Sequence, residues 1–185
     1  MAIERIRKIA NRSESLEWKN VFRMKRKPTS VEEMLAKIPV FETLKAKELR
    51  LVSGIVHRRQ YMSGEYVFYQ GDPGLGMYVI EQGEVSVFLL GTDGTKKELA
   101  VLKDGDFFGE LSLLDESPRS ATVIAVTDAS LVGFFRPDLF EIMEKVPGTG
   151  LKIVLKVAEM IGERLRNTNQ ELSKLRAEFD AVKPT

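Results

Sequence analysis

Between residues 55 and 136 the chain alternates short runs rich in Val, Ile, Phe and Tyr with compact turn signals. The runs are EYVFYQ (65–70), GMYVIEQG (76–83), EVSVFLL (84–90), KELAVL (97–102), RSATVIAVT (119–127) and SLVGFFR (130–136). GDPG (71–74), Gly83, TDG (92–94) and KDGD (103–106) punctuate them. Asp93-Gly94 suits a tight hairpin turn, because both residues tolerate the left-handed backbone that such turns need. Many short strands at this spacing predict a sandwich or small barrel that closes to protect its edges.

Helical patterns flank the strands. SVEEMLAKIP (30–39) opens on Ser30 with Glu33 three residues later, the signature of a capped helix start, and Pro39 ends it. LKAKELRLVSGIV (44–56) reads as a second short helix stopped near Gly54. RPDLFEIMEKVP (136–147) reads as a third. PGTG (147–150) is expected to break the chain and act as a hinge through Pro147, Gly148 and Gly150. A long helix from Leu151 to about Ala181 follows, roughly 45 Å at 1.5 Å per residue.

That last helix carries Ile161, Leu165, Thr168, Leu172, Leu175, Phe179 and Val182 at alternating steps of four and three. This is a heptad seam. A domain this small has little surface for so long a helix, so the seam is expected to pair with a second copy of the chain or another protein. Thr168 is its odd member, since a hydroxyl in an apolar seam needs a hydrogen-bond partner.

Composition narrows the function classes. The 185 residues are 43% hydrophobic and 30% charged, enough to bury a core, and carry a net charge of +1. No cysteine is present, which excludes disulfide scaffolds, thiolate zinc sites and thiol catalysis. His57 is the single histidine, beside two arginines, and reads as an edge-strand or surface residue. A cupin-like metalloenzyme needs two or more histidines, so no metal and no enzymatic activity are expected. No apolar run reaches membrane-span length, and the charged N-terminus is unlike a signal peptide, so a cytoplasmic location is expected. Residues 1–30 hold nine basic residues against three acids. They are expected to form a basic helical arm packed on the domain, without membrane contact.

The stretch FFGELSLLDESPRSATV (107–123) carries the chemistry. Gly109 lets a backbone approach closely. ELSLL can form one helical turn, whose start presents unpaired N–H groups to an anion. Arg119 offers a fork of donors that fits two phosphate oxygens. Ser120 and Ala121 are small, and Ser120 adds a hydroxyl. Glu110 would repel phosphate but would accept from sugar hydroxyls. A phosphate beside a sugar hydroxyl is a nucleotide. The competing reading is a structural ion pair between Glu110 and Arg119, worth only ~0–1 kcal/mol at a surface.

The sequence FGELSLLDESPRSATV resembles the phosphate-binding cassette of the cyclic nucleotide-binding domain family. The resemblance extends over roughly residues 38–170 and includes GDPG, IEQGEVSVF and DGDFFGE. It implies that Arg119 pairs with the cyclic phosphate, helped by Ser120 and the backbone N–H groups of Ser112 and Ala121. It implies that Glu110 and the Gly109 backbone hold the ribose 2′-hydroxyl. Thr168 would contact the purine, and Asn169 the base bound to a neighbouring subunit. Val67, Leu111 and Val123 would line the pocket. Ser120 would serve either cyclic AMP or cyclic GMP, and cyclic AMP is the expected ligand.

The expected fold is α+β. An antiparallel, jelly-roll-like β-roll of about eight strands has N-terminal helices on one flank and a long C-terminal helix. Residues 1–37 would be the arm, 38–147 the roll and 148–185 the capping and dimerisation helix. Little sequence follows Thr168, so no helix-turn-helix and no DNA binding are expected. The expected function is a non-catalytic cyclic AMP sensor that signals by moving its last helix, acting as a homodimer or on an unidentified protein. The alternative is a dimeric interaction module whose cassette binds nothing.

Overall fold

The computed structural model describes residues 30–91 and 93–182, and the basic arm at 1–29 lies outside them. From Val31 onward these residues belong to one compact unit. Helices α1 (Val31–Leu35) and α2 (Ala46–Ser53), with a 3-10 turn at Pro39–Phe41 between them, precede the strands. Eight strands follow: β1 (His57–Tyr61), β2 (Tyr66–Phe68), β3 (Gly76–Gln82), β4 (Glu84–Leu90), β5 (Lys96–Lys103), β6 (Phe107–Phe108), β7 (Thr122–Ala125) and β8 (Ala129–Phe135). A 3-10 turn at Glu110–Leu113 joins β6 to the loop before β7. Helices α3 (Arg136–Lys145) and α4 (Pro147–Val182) close the chain.

Two four-stranded antiparallel sheets face each other, in the orders β1-β8-β3-β6 and β2-β7-β4-β5. This is the expected α+β roll. Side-chain alternation explains the layering. Tyr78, Ile80, Ala129 and Leu131 point between the sheets, where Tyr61, Val85, Phe108 and Val123 pack with them. Met77, Val79, Val132 and Phe134 point the other way, onto Leu35, Ile38, Phe41, Leu139, Ile142, Ile153 and Val157 of the helical layer. Strands β3 and β8 are therefore covered on both faces, which is why they read as near-continuous apolar runs. Phe41 meets Phe134 edge-on at 5.4 Å. Each such fully buried side chain contributes about 1.5–3 kcal/mol.

His57 is on edge strand β1, opposite Gly133 of β8, and exposed as expected. The β4–β5 hairpin closes through Gly94, whose φ of 80° the Asp-Gly turn requires. Asp93 locks it by accepting from the Thr95 backbone N–H at 3.0 Å and its hydroxyl at 2.7 Å.

The C-terminal helices differ from expectation. PGTG does not break the chain, because α4 already begins at Pro147 and runs 36 residues, about 54 Å at the standard rise. The interruption falls on Val146, at φ −139° and ψ 73°. Proline is suited to the first helical position, where its missing N–H is no loss. Gly150 has a packing role instead: a Cβ there would lie 2.4 Å from Met143 Cγ, so the glycine lets α4 close onto α3.

Polar contacts hold the base of α4. Lys152 Nζ donates to both Glu48 oxygens at 2.8 Å, and Thr149 donates to the same carboxylate at 3.1 Å. Lys156 pairs with Glu42 at 2.6 Å. Beyond this base every residue from Glu163 to Phe179 is exposed, while Arg164 still reaches back to the roll. Ile161 packs on the helical core, so the exposed part of the seam starts at Leu165.

Candidate functional site

Arg119 lies just before β7, where backbone pairing fixes it. Its N–H donates to the Asp72 carbonyl at 2.8 Å, and its carbonyl accepts from Gly71 at 2.9 Å. The GDPG turn thus serves as a brace for the arginine. Within that turn, Gly74 lies so close to the cassette that a Cβ would stand 2.3 Å from Ser112 Oγ.

The Arg119 side chain turns inward and is buried, 6% exposed. Nη1 donates to the Gly76 carbonyl at 2.8 Å and to Ser112 Oγ at 3.1 Å, with a longer contact to the Gly109 carbonyl at 3.4 Å. The guanidinium carbon stands 4.1 Å over the Phe68 ring. Nε is buried without a hydrogen-bond partner. No carboxylate among the described residues pairs with this cation. Burial pulls its pKa below the ordinary value, and Tyr78 and the Asp72 carboxylate pull in the opposite direction. An isolated buried charge is costly, by several kcal/mol. An anion that accepts from the remaining donors would relieve that cost, and a phosphate offers the two oxygens that a guanidinium fork fits.

Gly109 makes this packing possible. At φ 80° it is in the left-handed region, and a Cβ would lie 2.6 Å from Arg119 Nη1. The glycine thus admits the arginine at close range. The Ser112 N–H, expected on the phosphate, donates to the Gly109 carbonyl at 3.2 Å within the 3-10 turn.

Glu110 is also buried, at 3% exposure, and does not pair with Arg119. The structural ion pair weighed from sequence is absent among the described residues. The partner of Glu110 is Arg164, on α4, whose Nη1 donates to Oε1. Sequence reasoning missed Arg164. The signal was available, because Arg164 lies four residues before Thr168 and therefore on the same helical face.

A cleft of about 490 Å³ runs beside this pair, lined by Pro39, Glu42, Glu110, Met160, Arg164, Asn167, Thr168 and Glu171 among others. It touches the cassette at Glu110 and does not include Arg119. The structure therefore brings Gly109, Ser112 and Arg119 together, and separately joins Glu110 and Thr168 along the cleft. Ser120 and Leu111 are exposed at the cassette surface, and Ala121, two residues after Arg119, is buried. Val123 is in the inter-sheet core, and Val67 packs against it. Asn169 is exposed, does not line the cleft, and accepts from Ser173 through its carbonyl at 2.9 Å. No cluster of three metal-ligating side chains occurs among the described residues. No described helix is long and apolar enough to cross a membrane.

A family model described as the cyclic nucleotide-binding domain matches residues 58–146. The cyclic AMP receptor protein of Thermus thermophilus is 36% identical over 137 residues, 74% of this chain and 62% of that protein. A cAMP-dependent protein kinase regulatory subunit of Aspergillus niger is 36% identical over 100 residues, 54% of this chain and 24% of that protein. The crystal structure of the Thermus thermophilus catabolite activator protein superposes with a TM-score of 0.67 at 36% identity. It covers 75% of this chain and 63% of that one. The chain thus spans less than two thirds of the length of each of these relatives.

Proposed function

Since the chain belongs to the cyclic nucleotide-binding domain family through residues 58–146, we propose that it is a non-catalytic sensor of cyclic AMP that reports through α4. The observation that carries this is Arg119, a buried guanidinium with no carboxylate partner among the described residues and an unpartnered Nε. The phosphate would be held there. The ribose 2′-hydroxyl would meet Glu110, and the base would reach toward Thr168 on α4. The names of two relatives, a cyclic AMP receptor and a cAMP-dependent kinase subunit, favour adenine over guanine. Parallel calorimetric titrations with cyclic AMP and cyclic GMP test the choice of base. Tighter binding of cyclic GMP would reverse it.

The exposed seam supports a homodimer. Leu165, Leu172 and Leu175 are 59%, 43% and 62% exposed, on a stretch of helix that is marginal in water without a partner. In a parallel, in-register pair, Glu171 of one copy would face Arg176 of the other, at the flanking heptad positions that set coiled-coil pairing. This pair of charges is compatible with a parallel arrangement. Ligand occupancy at the cassette and the state of α4 would then be linked by a coupling free energy, typically ~1–3 kcal/mol.

A further inference from the structure

Arg119 is the one base in a stretch of acids. Residues 107–123 hold three carboxylates, Glu110, Asp115 and Glu116, against it. Two cations from other elements pair with this stretch, and each meets a carboxylate. Arg164 of α4 meets Glu110, and Arg136 of α3 meets Glu116. Asp115 accepts from the Ser117 N–H at 3.2 Å and from its hydroxyl at 2.8 Å, and has no cation partner among the described residues. On its other sides the guanidinium faces rings, Phe68 of β2 at 4.1 Å and Tyr78 of β3 at 6.0 Å.

The GDPG turn adds a further negative charge. Asp72 is half-buried, and its Oδ2 accepts from the Tyr69 N–H at 2.8 Å. Its backbone carbonyl accepts from the Arg119 N–H, so the carboxylate belongs to the residue that braces the arginine. The two side chains form no ion pair, yet the Asp72 charge reaches the guanidinium and opposes the effect of burial on its pKa. With both outer arginines engaged, Arg119 is left beside two carboxylates, Asp72 and Asp115, that no cation neutralises among the described residues.

Phosphates differ in charge. A cyclic phosphodiester has one ionisable oxygen and carries one negative charge. A 5′-phosphate monoester carries nearly two at neutral pH, because its second ionisation lies at about pH 6. The buried guanidinium can balance one charge. A second charge would meet the carboxylates in a setting that screens it poorly.

We infer that the cassette selects its ligand by phosphate charge, accepting a monoanion and rejecting a dianion, and that Asp72 is a residue that sets this selection. This rests on the cassette being a cyclic nucleotide site. It makes the charge of the phosphate, rather than the closed ring alone, the reason a linear nucleotide is excluded.

The test is calorimetric competition against cyclic AMP on the full chain, with 5′-AMP and with its phosphate methyl ester, which is open-chain yet carries one charge. At pH 8 the methyl ester is expected to bind at least about tenfold tighter than 5′-AMP. Between pH 8 and pH 5.5, 5′-AMP should itself tighten at least about tenfold, as its dianion takes up a proton, whereas cyclic AMP stays within about twofold. Asp72→Asn keeps an acceptor for the Tyr69 N–H and should narrow the gap between the two open-chain ligands at pH 8 about threefold. A methyl ester no tighter than 5′-AMP, or a 5′-AMP affinity flat with pH, would overturn the inference while leaving cyclic AMP binding in place. An unchanged gap in Asp72→Asn would overturn the role of Asp72. A wild-type chain that does not bind cyclic AMP would overturn both the inference and the reading it rests on.

Discussion

Gly109 and Arg119 are fitted to each other: the glycine holds φ 80°, and a Cβ on it would lie 2.6 Å from the Arg119 Nη1. Gly109→Ala therefore has two costs. The backbone must keep a left-handed conformation, about 1–2 kcal/mol for a residue with a side chain. The guanidinium must also shift from Ser112 and Gly76. The variant is expected to lose several degrees of Tm and at least tenfold in cyclic AMP affinity. A variant with wild-type affinity would show that Arg119 does not need this position.

Helix propensity and packing make opposite forecasts at two glycines of α4. Gly148 faces open space, whereas a Cβ at Gly150 would come within 2.9 Å of the Met143 Cα. Alanine is favoured over glycine in a helix by up to ~1 kcal/mol. Gly148→Ala should raise Tm slightly. Gly150→Ala should lower it, because α3 and α4 must separate. Thermal denaturation of the two variants, side by side, reads the sign.

The base of α4 should weaken in acid. Glu48 is held at about 2, below its usual 4.5, chiefly by the hydrogen bond from Lys152, then by the Lys45 backbone N–H and Thr149. Its folded pKa lies below the unfolded one, so its contribution is complete above about pH 4.5 and is lost as pH falls toward 2. The Tm difference between wild type and Glu48→Gln should be greatest near pH 6 and shrink toward pH 2.5. A pH-independent difference would mean that the carboxylate charge is not what anchors the helix.

Much of this was legible in the sequence, and the exceptions have physical causes. The strand runs were visible because β3 and β8 are covered on both faces and β4 and β7 on one. Strand β1 was not among them, because four of its five residues, His57 to Gln60, are polar and exposed. Backbone pairing with β8 makes it a strand. Arg119 and Gly109 were found from residue chemistry, but their mutual contact needed coordinates. The pairing of Glu110 was not visible, since its partner is 54 residues away on another element. Gly150 reads as a helix breaker because a glycine that admits a neighbouring helix looks the same in sequence as one that ends its own.

The seam of α4 makes a separate claim. Leu172→Glu with Leu175→Glu places four like charges in a parallel pair of helices. Sedimentation velocity should find a dimer in the wild type and a monomer in the variant, with the roll still folded by circular dichroism. A wild-type monomer at tens of micromolar would remove the homodimer from the account.

The central claim is that Arg119 holds a cyclic phosphate. Calorimetric titration of cyclic AMP into the wild type, Arg119→Ala and Arg119→Lys addresses it most directly. The account predicts saturable binding to the wild type, at least a hundredfold loss in Arg119→Ala, and only partial recovery in Arg119→Lys, because an ammonium lacks the planar fork. All three proteins should unfold cooperatively. Binding that survives Arg119→Ala in a folded protein would contradict the account.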